Sequence, residues 1–228
     1  MNEPSTVAGV IERLRRIDAE LPADDGVAVF NRVYLEVTER VGSLLDGLAG
    51  PSPFSDSDLL AELDVRFAAL WLHAYDAERS GRPVPSAWRP LFEARRGSQL
   101  PVQFALAGMN AHIEHDLPLA VVRTCRSRGL EPDEMHRDYE AVNDVLAAVE
   151  ARIRRSFLTD VGRAVDDRIG AVVHLVSAWN IEKARDLSWV TTETVWALRD
   201  TRLLLGRFLD ALGHTVGMGS RTLLTPVC

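Results

Sequence analysis

Apolar residues recur at three- and four-residue spacing along almost the whole chain, and the strict alternation of a half-buried strand is scarce. The pattern predicts an all-α fold, a compact multi-helix bundle of roughly eight helices around an internal cavity. The first helix starts after Ser5-Thr6 and runs to Leu21, where Pro22 stops it. A second covers Val27 to about Leu48. A third covers Leu59 to about Arg79, behind the capping candidates in Ser55-Asp56-Ser57-Asp58, and a short fourth covers Trp88 to Arg95. A long helix follows from Pro101 to about Arg126, with Pro118 inside it as an expected kink. Further helices are expected from Asp133 to Phe157, from behind Thr159-Asp160 to about Trp179, and, entered by a bend, from Lys183 to about Leu212. From Gly213 the glycine-bearing tail reads as frayed or extended. No internal repeat and no long linker divides the chain, so residues 1–228 are read as a single helical domain.

Composition narrows the partners. Of 228 residues, 46% are hydrophobic, enough for one sizeable core, and the net charge is −7. An acidic chain lacks the basic face that nucleic acid requires, so no nucleic-acid partner is expected. The run Arg152, Arg154, Arg155 reads as a solvated helix face. The apolar run from Gly170 to Trp179 is too short to span a bilayer, and the polar N-terminus does not resemble a secretory signal. Cytoplasmic residence without a membrane partner is the expectation, and homodimerisation stays open. Cys125 and Cys228 form no CxxC pair, and Cys125 reads as a small buried hydrophobe. Lys183 is the only lysine, so Schiff-base chemistry is not expected.

The chemistry concentrates in Asn110-Ala-His112-Ile-Glu-His115-Asp116. At 100° per residue, His112, His115 and Asp116 share one arc with Ala105, Gly108 and Leu119, while Gln103, Asn110 and Glu114 fall on the opposite, water-facing arc. Three ionisable groups on an apolar helix cost free energy unless they pair, and that cost argues for a functional site, the alternative being a satisfied buried His–Asp network. In an acid–base site His112 or His115 moves a proton and Asp116 fixes the tautomer. The same three could instead ligate a divalent metal, zinc or iron. No metal is required, however: neither HExxH nor the Glu-x-x-His of di-iron bundles is present, and three ligands on one helix rarely close a coordination shell.

Other candidates each carry a plain structural reading beside the functional one. His73 and Asp76 are an i,i+3 pair, either a surface ion pair or part of the site. His136 is expected to face solvent, near Asp133 as a helix cap. His174 sits in an apolar stretch as a core residue. Trp179, Trp189 and Trp196 read first as core, with Trp71 and Trp179 as the apolar wall of a ligand pocket in a non-catalytic reading. No phosphate loop, GxSxG or Cys–His nucleophile pair is present.

The string Gly108-Met-Asn-Ala-His-Ile-Glu-His-Asp-Leu-Pro-Leu-Ala120, together with Asp25-Gly-Val-Ala-Val-Phe-Asn-Arg-Val-Tyr34, resembles a largely actinobacterial family, domain of unknown function 5995. Looser similarity continues at Arg66-Phe67, Ala178-Trp179, Ala184-Arg185 and Trp189. The resemblance implies a helical fold without an assigned activity. In that family's pattern the position of His115 is often another residue, which shifts weight to Asn110, His112 and Asp116. It also draws in Asn31 and Tyr34, one turn apart, as cavity-lining residues or as a capping amide and a core tyrosine. The leading expectation is a small-molecule enzyme of bacterial specialised metabolism, of lyase, isomerase or cyclase type. In it His112, Asp116 and His115 do the chemistry, and Asn110, Asn31, Tyr34, His73 and Trp179 contact substrate. The alternatives are a metal-dependent hydrolase or oxygenase and a helical small-molecule-binding protein.

Overall fold

In the computed structural model of the chain, the structure describes residues 3–50, 52–143, 146 and 179–226. The helices expected beyond residue 143 and up to Trp179, with His174, the arginine run and Cys228, lie outside the described residues. Within them the fold is all-α, with no strand. The elements are α1 (Val7–Glu20), α2 (Gly26–Leu45), α3 (Ser57–Arg79), α4 (Arg89–Ala94), α5 (Pro101–Ala111), a π-helical turn (His112–Asp116), α6 (Leu117–Arg128), α7 (Pro132–Ala141), α8 (Ile181–Leu198) and α9 (Arg202–Leu223). None of these helices is long and apolar enough to cross a membrane.

Short polar side chains set the N-termini where capping chemistry predicts. Thr6 Oγ1 accepts from the Gly9 N–H at 3.1 Å, Asp25 Oδ1 from Val27 at 2.9 Å and Asp56 Oδ1 from Leu59 at 2.9 Å. α7 starts before the expected cap at Asp133, because the Glu131 N–H donates to the Glu134 carboxylate at 2.8 Å and Pro132 takes the first helical position.

α5 is the axis of the bundle. Every residue from Val102 to Ala111 is buried, the mark of a helix covered on all sides. α2 and α9 pack on it, while α3 and α8 pack on α6. The expected water-facing arc is therefore wrong for Gln103 and Asn110. Both meet α9, and both are satisfied there: Gln103 Nε2 donates to the carbonyls of Leu223 and Thr225, and Asn110 Nδ2 to Val216 O and Ser220 Oγ, all at 2.8–3.1 Å. Glu114 is only half-buried, and burial raises its carboxyl above the ordinary value.

α9 also corrects the expected frayed tail and the single helix ending near Leu212. Helix α8 ends at Leu198, and a second helix runs from Arg202 through Gly213, Gly217 and Gly219. Those glycines are contact points: a Cβ on Gly217 would lie 2.6 Å from Ser86 O, and one on Gly219 would lie 3.4 Å from Asn110 Nδ2. Small residues let α9 approach the Ser86 loop and α5 closely, so a pattern that weakens an isolated helix serves packing here.

Pro118 does not kink a continuous α-helix. It has no N–H to give, and its ring would crowd the carbonyl four residues back. The chain instead inserts a π turn, in which the Leu117 N–H donates to the His112 carbonyl, and Pro118 falls in the first turn of α6.

Gly108 has the tightest environment on α5, since a Cβ there would penetrate the Phe30 ring. Gly108→Ala is expected to destabilise the fold by about 1–3 kcal/mol through overpacking. Gly206→Ala, in an open stretch of α9, should instead stabilise it by about 0.5–1 kcal/mol. Urea unfolding of both variants checks the opposite signs.

Candidate functional site

The π turn brings two histidines together around one carboxylate. Asp116, 2% exposed, accepts from Trp88 Nε1 at 2.9 Å and His112 Nδ1 at 3.1 Å through Oδ2, and from His115 Nδ1 at 2.7 Å through Oδ1. Burial alone would raise its carboxyl, but the bonds from the two histidines outweigh that, and the net position is below the usual carboxylate value. An ionised carboxylate only accepts, so both histidines carry their proton on Nδ1.

That assignment leaves Nε2 of His112 as a bare acceptor. The ring is 2% exposed and held among aromatic rings. Phe67 stacks on it at 3.6 Å and 7°, Tyr34 meets it edge-on at 4.4 Å, and Phe30 and Trp88 lie at 5.9 and 5.8 Å. Burial lowers the imidazole below its ordinary value despite the bond and charge of Asp116, so His112 is neutral at pH 7. Its Nε2 is sealed from solvent and has no hydrogen-bond partner.

His112 faces a cavity of about 90 Å³, the volume of about three waters at ~30 Å³ each. The wall is mostly aliphatic and aromatic, drawn from α2, α3, the α5–α6 segment, α7 and α8, with Tyr34, Asp64, His112, Tyr139 and Arg185 as its polar members. Asp116 lies behind His112 and does not line it. His115 lies on the far side of Asp116, with its Nε2 towards Gly213 of α9. Among the described residues no three His, Cys, Asp or Glu side chains could share a metal ion. His112, His115 and Asp116 are bonded to each other, not arranged around an open position.

Of the residues expected to contact substrate, only Tyr34 lines the cavity. Asn110 is bonded to α9. Asn31 is fully buried and donates to Leu14 O at 2.9 Å while accepting from Trp71 Nε1 at 3.4 Å, so it ties α1, α2 and α3 together. His73 is exposed on α3, and its expected partner Asp76 pairs with Arg13 at 2.7 Å. Trp179 is half-buried against the core just before α8, and neither it nor the fully buried Trp71 is on the cavity wall. Trp196 Nε1 bonds Glu131, and Trp189 packs on Tyr139 and on the exposed His136. Cys125 is buried, and burial lifts its thiol to about 11, well away from a nucleophile's range.

Two polar wall residues were not singled out from sequence. Arg185 is buried, with its guanidinium 4.0 Å from the Tyr139 ring centre and hydrogen-bonded to Asn143 and the Tyr139 carbonyl. Asp64 is the more unusual. Its Oδ2 is sealed and unpaired, and burial lifts its carboxyl to about 7. The available signal was its position, since Asp64 lies on the same α3 stripe as Leu60, Leu63 and Phe67.

The family model described as a family of unknown function, DUF5995, matches residues 7–226, so the chain belongs to that family. No curated protein and no solved structure matches the chain.

The fully buried Asp116 and the partly buried Asp64 should respond oppositely to substitution. Asp116→Ala leaves three buried donors unpaired and is expected to destabilise by about 3–5 kcal/mol in urea unfolding. Asp64 behaves differently. Between its unfolded value of 3.8 and about 7, the folded chain holds a proton that the unfolded chain has lost. Its contribution is therefore full below 3.8 and is lost as pH rises through 7. Asp64→Asn should flatten that fall and melt above the wild type at pH 8.

Proposed function

We propose that the protein is an enzyme that moves a proton on a small, largely apolar molecule held in the central cavity. His112 is the general base, and Asp116 holds its tautomer and stabilises the imidazolium that forms. The observation that carries this reading is the single unpartnered nitrogen. His112 Nδ1 is bonded to a fully satisfied carboxylate, while Nε2 is buried, unpaired and on the wall of a cavity. Most buried histidines kept for structure alone have both nitrogens satisfied, because an unmade buried hydrogen bond costs on the order of 1–3 kcal/mol. A substrate proton supplies the missing partner. Depression of the imidazole by burial keeps the base form populated at neutral pH, and the Asp116 charge offsets the energy of protonating it.

Lyase, isomerase or cyclase chemistry is the proposed reaction class, because such steps turn on a proton taken from carbon or oxygen without electron transfer. Trp88 and His115 act through Asp116, holding the carboxylate that orients the base.

The test is solvent exchange. Protein incubated with a bacterial metabolite extract in D2O should place deuterium in a discrete compound, read by mass spectrometry. His112→Phe, which keeps the stack on Phe67, should abolish that labelling while still folding. The acid limb of the rate should fall below pH 6.5, the ordinary imidazole value, since the working form is the neutral one. Labelling that survives in His112→Phe would defeat the proposal. Absence of labelling in both proteins would favour a non-catalytic binding protein.

A further inference from the structure

His112 Nε2 is not alone. Two more atoms on the same cavity wall are sealed from solvent and have no hydrogen-bond partner, the Tyr34 hydroxyl and Asp64 Oδ2. The three come from three elements, the π turn, α2 and α3, so no local turn geometry explains them. They are also neighbours. The Tyr34 ring is 4.4 Å from that of His112, and Asp64 lies one turn before Phe67, whose ring stacks on His112. Burial, and then the nearby Asp64 charge, push the Tyr34 phenol well above its ordinary value against a smaller opposing pull from the Thr38 hydroxyl, which stands near it without meeting hydrogen-bond geometry.

Among the described residues Asp64 makes no ion pair or hydrogen bond. The other titratable groups on the wall are Tyr34, His112, Tyr139 and Arg185. Tyr139 gives its hydroxyl proton to the Arg185 carbonyl at 2.9 Å, and Arg185 is engaged by Tyr139 and Asn143. A carboxyl without a counter-cation in an apolar wall takes up a proton and becomes a donor. The wall then presents two donors, Asp64 and Tyr34, and one acceptor, His112 Nε2.

We propose that Asp64 and Tyr34 form the acid side of this cavity, and that its ligand is a small uncharged hydroxy-carbonyl compound. This rests on the reading of His112 as the base. The carbonyl oxygen has two lone pairs for the two donors, and the carbon or hydroxyl that carries the labile proton faces His112. An ammonium offers donors only and cannot accept from both Asp64 and Tyr34. A carboxylate offers acceptors only and would face the lone pair of His112.

The step balances without a co-reactant. His112 Nε2 takes the proton from the carbon bearing the hydroxyl, and the Asp64 carboxyl gives its proton to the carbonyl oxygen. The C–H bond breaks, a C=C bond forms, and the product is an enediol beside an imidazolium and a carboxylate. Asp64 then takes the proton of the other hydroxyl, and His112 returns its proton to the former carbonyl carbon. The carbonyl has moved by one carbon, and both residues are restored.

Four four-carbon probes test the claim: 3-hydroxybutan-2-one, butan-2-one, butan-2-amine and butanoate. Binding is read from the ¹⁵N shift of His112 at pH 6.0 and 8.5 in wild type, Asp64→Asn and Tyr34→Phe. The hydroxyketone should bind tightest at pH 6.0 and weaken by roughly tenfold or more at pH 8.5, as Asp64 ionises. Asp64→Asn, which keeps a donor, should bind it with no such pH dependence, and Tyr34→Phe should weaken it at both values. Tighter binding of the amine or butanoate, an unchanged pH dependence in Asp64→Asn, or no shift of His112 with any probe overturns the proposal. Deuterium uptake at the hydroxyketone carbon separates the two readings. Uptake that needs His112 but is indifferent to Asp64 and Tyr34 removes the acid side and leaves the base standing, whereas uptake indifferent to His112 removes the base itself.

Discussion

One buried carboxylate organises this molecule. Asp116 is withdrawn from water inside a helical bundle, where an unpaired charge would cost several kcal/mol. Three donors meet it, and each comes with a structural consequence. Trp88 Nε1 fixes the entry to α4, His115 fixes the side facing α9, and His112 is turned so that its second nitrogen looks the other way. Each of the three donors lowers the cost of that charge. A disturbance in α4 or in the π turn is therefore felt at His112 even though it touches no cavity atom.

The π turn is what lets that network and Pro118 coexist. An uninterrupted α-helix would place the Pro118 ring against the Glu114 carbonyl. Widening one turn gives the proline a first-turn position in α6 and pairs the His112 carbonyl with the Leu117 N–H. The widened turn carries His112, whose ring faces the cavity on one side and Asp116 on the other.

Helix existence was legible from apolar periodicity, and helix starts were legible from Thr6 and Asp56, because both signals are local. The cluster of His112, His115 and Asp116 was legible for the same reason. What failed was whatever depended on a partner helix. A helical wheel assumes one wet face, and α5 has none, so Asn110 and Gln103 appeared solvated when α9 covers them. The glycines of α9 signalled fraying because their value lies in Ser86 and Asn110, distant in sequence. Asn31 and His73 have the residue types of site groups, but one is spent on joining three helices and the other faces solvent. Asp64 was missed because a single carboxylate on α3 resembles a surface residue until Tyr34, Phe67 and His112 are packed beside it.

The distribution of unpaired polar atoms separates a site from loose packing. Two such atoms elsewhere in the bundle are the spare ends of groups that are otherwise bonded. Arg13 leaves one nitrogen idle while another pairs with Asp76, and Gln99 leaves its oxygen idle while its nitrogen bonds the Leu224 carbonyl. In the cavity the idle atoms are the working ends: an imidazole nitrogen, a phenol and a carboxyl, on three different elements, facing one space. Chance burial would scatter such losses, and repacking with apolar side chains of similar size would remove them at little cost or with a gain in stability. Their convergence on one small volume beside a base with a fixed tautomer is the pattern expected when stability is given up for a ligand that completes the bonds.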